Sequence, residues 1–292
     1  MNERRQRMDN QPYGRAFERL NELLYPSPHP YHWPVIGYMD DIAAADLDDV
    51  STFFRTHYAP DNAVLTLAGD FERTEAEKLI EAYFGEFAPS ARGESNADGP
   101  VEHAQPILEV LPDSVQLERS YIAFRLPPYG TADWYAADLL AAELTAGKSS
   151  RLYRDLVYDR QIAQDISAMA LPTELDGSFV VVATASEPGG AAELESAVSR
   201  HLEAVAAGEV PEAGLERARN QTLSSYFEAL QSLAHRADLV SQFTTYLGQP
   251  NALQTELEAY TALRLEDLQR VADKYLRADR SVTVRVVPEA TS

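Results

Sequence analysis

Two stretches of the chain carry the same local pattern at one constant offset. In "ADLDDVSTFFRTHY", Leu47, Val50, Phe53 and Phe54 share one helical face behind Asp46, a residue suited to capping a helix N-terminus, and "NAVLTLAGDF" follows as an apolar strand. Near the other end, "LEDLQRVADKYL" and "SVTVRVV" repeat that helix and strand, and Leu265 to Val282 has the same spacing as Leu47 to Val64. Helix-then-strand pairs are common in α/β chains, so a matched spacing can arise by chance. The same offset, however, also sets Asn2 and Glu3 opposite Asn220 and Gln221, and this favours duplication. The opening stretch "MNERRQRMDNQPYG" then corresponds to the interior of a long helix. The second repeat has a long run of residues before that helix and the first has almost none, so the first repeat is expected to be incomplete at its front.

At 292 residues the chain has material for two cores. A formal net charge of −21 argues against nucleic acid as a partner, because phosphates need clustered Lys and Arg. Zero cysteines exclude disulfides and thiolate metal sites and leave the compartment open. No apolar run approaches the roughly 20 residues of a membrane span. An exported, periplasmic parent would carry its signal upstream of Met1.

The Ser-, Gly- and Pro-rich "APSARGESNADGP" reads as a linker. The expected division is therefore 1–88 as the C-terminal part of a first domain, 89–104 as linker and 105–292 as a complete second domain. Within the first part, "TEAEKLIEAYF" offers a capping box, Thr74 with Glu77. In the second, "PILEVLP", "VQLERSYIAFRL" and "GSFVVVATAS" read as strands, while "WYAADLLAAEL", "SSRLYRDLVYD" and three long stretches between about Pro211 and Tyr260 read as helices. Because it opens and closes in strands, Gln105 to Glu289 is expected to fold by itself.

"NERRQRMDNQPYG", "HPYHWPVIG", "FFRTHYAPDNAVLTLAGDF" and "GKSSRLYRDLVYDRQIAQDISA", in that order, resemble the M16 peptidases, the pitrilysin, insulinase and mitochondrial-processing-peptidase group, in its bacterial short-chain form. The resemblance implies an α+β fold, a tandem repeat of two related domains with mostly antiparallel sheets covered by helices. It also implies zinc-dependent cleavage of peptide substrates, with Zn2+ held by an H-x-x-E-H motif and a Glu on a later helix. On that match Glu3 is the metal ligand. Of the six histidines (His29, His32, His57, His103, His201 and His235), none begins an H-x-x-E-H, so no catalytic residue is assigned and this chain alone is not expected to hold zinc or to act.

His29 and His32 form an H-x-x-H, but the flanking prolines break the helix that would align both rings, and an ordered loop is the expectation. His57 reads as a helix-end residue. The resemblance also places Val157 and Gln164 where single-chain members carry a substrate-contacting Arg and Tyr. A registration one turn away would use Arg154 or Arg160 with Tyr158 instead. Loss of the Arg and Tyr fits the zinc-bearing subunit of a heterodimer whose second M16-type subunit supplies them; the rival expectation is a non-catalytic M16-like subunit. A Ser-His-Asp hydrolase has no G-x-S-x-G in its support.

Overall fold

The computed structural model describes residues 1–89 and 105–289, so the expected linker lies outside them apart from Pro89. In chain order come α1 (Asn2–Arg4), continued by a π-helical turn over Arg5–Asp9, then α2 (Ala16–Leu24), α3 (Met39–Ala44), α4 (Leu47–His57) and α5 (Arg73–Phe84). After these follow β1 (Ile107–Asp113), β2 (Arg119–Leu126), α6 (Ala132–Thr145), β3 (Ala163–Leu171), β4 (Gly177–Ala185) and α7 (Ala191–Ala206). The chain continues through α8 (Glu212–Ala229), α9 (Leu233–Leu247), α10 (Leu253–Ala262), α11 (Leu265–Tyr275) and β5 (Val282–Pro288).

The five strands form one sheet in the order β1-β5-β2-β4-β3, with β1 parallel to β5 and the other pairs antiparallel. The central strands are rich in β-branched and aromatic residues because they are covered on both sides; β4, "GSFVVVATA", is buried almost throughout. Strand alternation splits β2 between two cores. Tyr121 and Ala123 join Val180, Val282, Val284 and Val286 under the i, i+4, i+8 stripe of α2, Ala16, Leu20 and Leu24. Ile122 and Phe124 face the other way, toward Val198 and Leu202 of α7.

By packing, residues 1–36, 105–224 and 255–289 make one unit, and residues 37–89 and 225–254 make the other. This grouping departs from the expected division, in which 1–36 belonged with 37–88. The physical reason is the stripe Ala16, Leu20 and Leu24 of α2, which is buried on the sheet.

In the second unit, α9 packs Leu239 and Phe243 against Ala252, with Tyr226, Leu230 and Leu247 around them. Asp46 caps α4, accepting from the backbone N–H groups of Asp48 and Asp49 at 2.8 and 2.9 Å, while Asp49 accepts from the Asp46 N–H at 3.1 Å. Two expectations fail here. "NAVLTLAGDF" forms no strand ladder among the described residues, although Thr66 Oγ1 meets Ser241 Oγ at 2.7 Å. Apolar character alone does not make a strand without a neighbour to complete its backbone hydrogen bonds. The Thr74–Glu77 box is also not formed: α5 starts at Arg73 without a side-chain cap, and Glu77 pairs with Arg73 Nε at 2.7 Å. "SSRLYRDLVYD" is helical as expected, but it widens to π-helix over Tyr153–Asp159. Among the described residues no helix is long and apolar enough to cross a membrane.

Candidate functional site

Glu3 sits on α1, whose next residue turns inward. Arg4 and Glu18 of α2 are both buried, with Arg4 Nη1 2.7 Å from Glu18 Oε2 and Arg4 Nη2 donating to Glu18 Oε1 at 2.9 Å. This two-point pair ties the short helix to α2 and, through the α2 stripe, to the sheet. A tight turn follows the π-helical segment. Tyr13 holds a positive φ of 63°, its N–H donates to Asp113 Oδ2 at 2.7 Å, its hydroxyl donates to the Leu117 carbonyl, and a Cβ on Gly14 would lie 2.2 Å from the Met8 carbonyl oxygen. Glu3 itself points outward: its side chain is 66% exposed and pairs with Arg7 Nε at 3.2 Å.

One exposed carboxylate with an arginine partner does not make a zinc site. Among the described residues no group of three His, Cys, Asp or Glu is placed to hold a metal ion. These residues by themselves therefore do not fit the zinc that the resemblance implies.

His29 caps and His32 ends a short 3₁₀ turn, Pro30–His32, in an ordered loop as expected. Both Nδ1 atoms are engaged locally: that of His29 accepts from the Tyr31 N–H at 3.1 Å, and that of His32 lies 2.9 Å from the Tyr25 carbonyl. His29 is buried, stacked on Tyr25, with Nε2 3.6 Å from Asp176, which also takes Arg125. Burial, then the Arg125 guanidinium, push its pKa below the ordinary imidazole value, with Asp176 acting the other way. Nothing in the spacing of residues 25, 29, 125 and 176 announces this cluster in sequence.

Val157 lies partly buried on the π-helical segment, and Gln164 is exposed on β3, an edge strand. The residues of the alternative registration are engaged nearby or exposed: Arg154 pairs with Asp159, Arg160 with Glu193 and Asp155, and Tyr158 is exposed. His57 closes α4, its ring against Phe53 and its carbonyl accepting from Asn62. His201 Nε2 meets Asp155 at 2.8 Å, and His103 lies outside the described residues.

A second buried polar group joins α6 to α10. Glu256 accepts from the hydroxyls of Tyr129, at 2.8 Å, and Tyr135, while Tyr260 donates to Asp138 at 2.8 Å. Desolvation, against the Tyr260 hydrogen bond and reinforced by the Glu256 charge, pushes Asp138 up to about 6. A raised carboxyl pKa means that the folded state binds the proton more tightly. The stabilisation is therefore complete below the unfolded value near 3.8 and is lost as pH rises through about 6. Asp138→Asn, which keeps an acceptor for Tyr260, is expected to gain stability relative to the parent between pH 4 and pH 8, by on the order of 3 kcal/mol at most. Parallel urea titrations at both pH values check this; equal midpoint differences at the two would contradict it.

Residues 44–222, more than half of the chain, match the family described as Peptidase M16 inactive domain. The zinc protease PqqE of Helicobacter pylori is 28% identical over 291 residues, which cover 98% of this chain and 65% of that protein. The crystal structure of a protease from Helicobacter pylori superposes with a TM-score of 0.87 at 27% identity, covering 98% of this chain and 70% of that one. A crystal structure of a peptidase M16 inactive domain from Pseudomonas fluorescens gives 0.85 at 18% identity, over 98% of this chain and 68% of that one. Because that family match covers more than half of its residues, the chain belongs to the M16 peptidase family.

Proposed function

We propose that this chain is part of a zinc-dependent M16 endopeptidase and is inactive by itself, with Glu3 as the carboxylate it offers to a metal whose other ligands come from outside these residues. The observation that carries this reading is the placement of Glu3. It is exposed at the first turn of a helix that is fixed to the sheet by the buried Arg4–Glu18 pair. A carboxylate held that way is positioned without being consumed by the core. The Helicobacter relative is named a zinc protease, and this chain spans 65% of its length. Val157 and Gln164, in place of an Arg and a Tyr, further support a zinc-bearing subunit that works with a second M16-type subunit on a peptide substrate.

A second reading, a non-catalytic M16 subunit, draws on the inactive-domain match over residues 44–222. The readings share one expectation for the isolated chain: after zinc loading and dialysis, elemental analysis finds less than stoichiometric zinc, and Glu3→Gln leaves the value unchanged. Stoichiometric zinc that Glu3→Gln abolishes would show that the chain assembles a metal site alone. The readings part once H-x-x-E-H and a partner subunit are supplied. Glu3→Gln then removes peptide hydrolysis under the first and changes nothing under the second.

A further inference from the structure

β1 ends the sheet, and its backbone alternates between β5 and the outer edge. The Ile107 N–H donates to the Ser281 carbonyl at 2.9 Å and the Asp113 carbonyl accepts from the Glu289 N–H at 3.0 Å, so the odd-numbered residues of β1 face β5. Leu108 and Val110 therefore present their N–H and C=O groups outward, where no strand pairs with them among the described residues. Pro112 holds the third outward position, the place on an edge strand where a missing N–H removes no ladder bond. The side chains of Leu108 and Val110 share one face and are 54% and 50% exposed. That face is bare because α7 is anchored further in: Glu195 accepts from Arg285 of β5 at 2.8 and 2.5 Å and from Ser120 of β2 at 2.5 Å. A cavity of about 310 Å³ remains beside Leu108, lined by Ile122 and Phe124 of β2 and Val198 and Leu202 of α7.

The other face of this edge is acidic. Glu109 takes Arg19 of α2 through contacts of 2.6 and 2.7 Å, and Arg19 also donates to Glu22 at 2.7 Å, so two carboxylates share one guanidinium. An open strand edge is a template for another strand, and one with an apolar face and an acidic face fits one kind of occupant. We propose that β1 takes up a sixth strand from a partner protein, an extended segment in which apolar and basic residues alternate. Its apolar side chains lie beside Leu108 and Val110, and its Lys or Arg side chains lie beside Glu109 and Glu22. Main-chain bonds to Leu108 and Val110 hold such a strand, and the two faces select its pattern. A second copy of this chain is a poor occupant. Antiparallel pairing of Leu108 with Val110 of the copy sets Glu109 opposite Glu109, and each chain carries a net charge of −21.

The test uses the full chain and a synthetic peptide of alternating valine and lysine, capped at both ends, with amide exchange read residue by residue. In the chain alone Ile107, Glu109 and Leu111 should be protected by β5, while Leu108 and Val110 exchange rapidly. With the peptide, exchange at Leu108 and Val110 is expected to slow by about 100-fold or more, and that at Glu109 to stay where it was. Replacing the valines by serine, or the lysines by glutamate, should weaken binding by about 10-fold or more. Val110→Pro removes an outward N–H, as Pro112 already does, so it should abolish binding while Glu109 stays protected. A peptide that fails to bind overturns the proposal, and so does binding that neither Val110→Pro nor the serine and glutamate replacements weaken. Protection at Leu108 and Val110 in the chain alone equal to that at Glu109 also overturns it, because the edge is then already occupied. So does a self-dimer lost in Val110→Pro, which assigns the edge to a second copy. None of these readouts depends on zinc or hydrolysis, so the docking edge can fail while the functional reading stands, and the reverse.

Discussion

Residues 105–292 produced without the first 36 residues will not unfold in a single cooperative transition. The sheet surface formed by Tyr121, Ala123, Val180, Val282, Val284 and Val286 is covered by Ala16, Leu20, Leu24 and Tyr25, and the fragment loses that cover whole. Leu20 and Leu24 are fully buried, and each such side chain contributes about 1.5–3 kcal/mol. Together with Tyr25, whose hydroxyl donates to the Gly177 carbonyl, the loss is a large share of the roughly 5–15 kcal/mol that keeps a domain folded. The fragment should retain far-ultraviolet signal, lack near-ultraviolet signal and bind a hydrophobic dye. A sharp transition with intact near-ultraviolet signal would restore the boundary expected from the strand pattern and remove residues 1–36 from the core.

Glu18→Ala will destabilise the chain by about 3–5 kcal/mol, the range for stranding one partner of a buried ion pair. Arg4 would keep its guanidinium in a buried position after losing both of its short contacts to Glu18. Replacing both partners, Arg4→Met with Glu18→Leu, should recover most of that loss, because it removes the desolvated charges together. Urea midpoints for the parent, the single and the double variant measure it. A cost for the single variant under about 1 kcal/mol would mean that the pair is solvated in solution. The same variant should release α1 from α2, so the segment bearing Glu3 is predicted to lose amide protection first.

The strand patterns of β1, β2 and β4 were legible because alternation and β-branched runs record burial on a sheet, as in "SYIAFRL" and "SFVVVATA". The helix–strand repeat was legible as a spacing, and its helices α4 and α11 form with matched caps. Its strand in the first repeat was not, because pairing depends on a neighbour and Ala63–Leu67 has no ladder among the described residues. α7 and α2 were missed. α2 is short, and its stripe Ala16, Leu20, Leu24 has one small residue in three, so it stands out only once the sheet beneath it is known. β3 is not marked in the sequence, since its bulge at Ala163/Asp165 breaks the alternation. Of the candidate site, Glu3 was named by likeness alone. The buried partner that fixes its helix, Arg4 with Glu18, joins residues on different helices with no motif to reveal it.

The parallel pairing of β1 with β5 has a consequence for synthesis. β5 lies between β1 and β2, so the first strand of the sheet is joined to the rest only by the last element of the chain. While the chain is being made, β2, β3 and β4 can associate as an antiparallel set, but β1 has no partner and the α2 surface lacks Val282, Val284 and Val286 beneath it. Closure across so long a separation is slow, and until then apolar strand edges stand open. The nascent chain is therefore most exposed to aggregation until β5 has been made, and a chaperone that shields the open strand edges until then would act on this protein at that step.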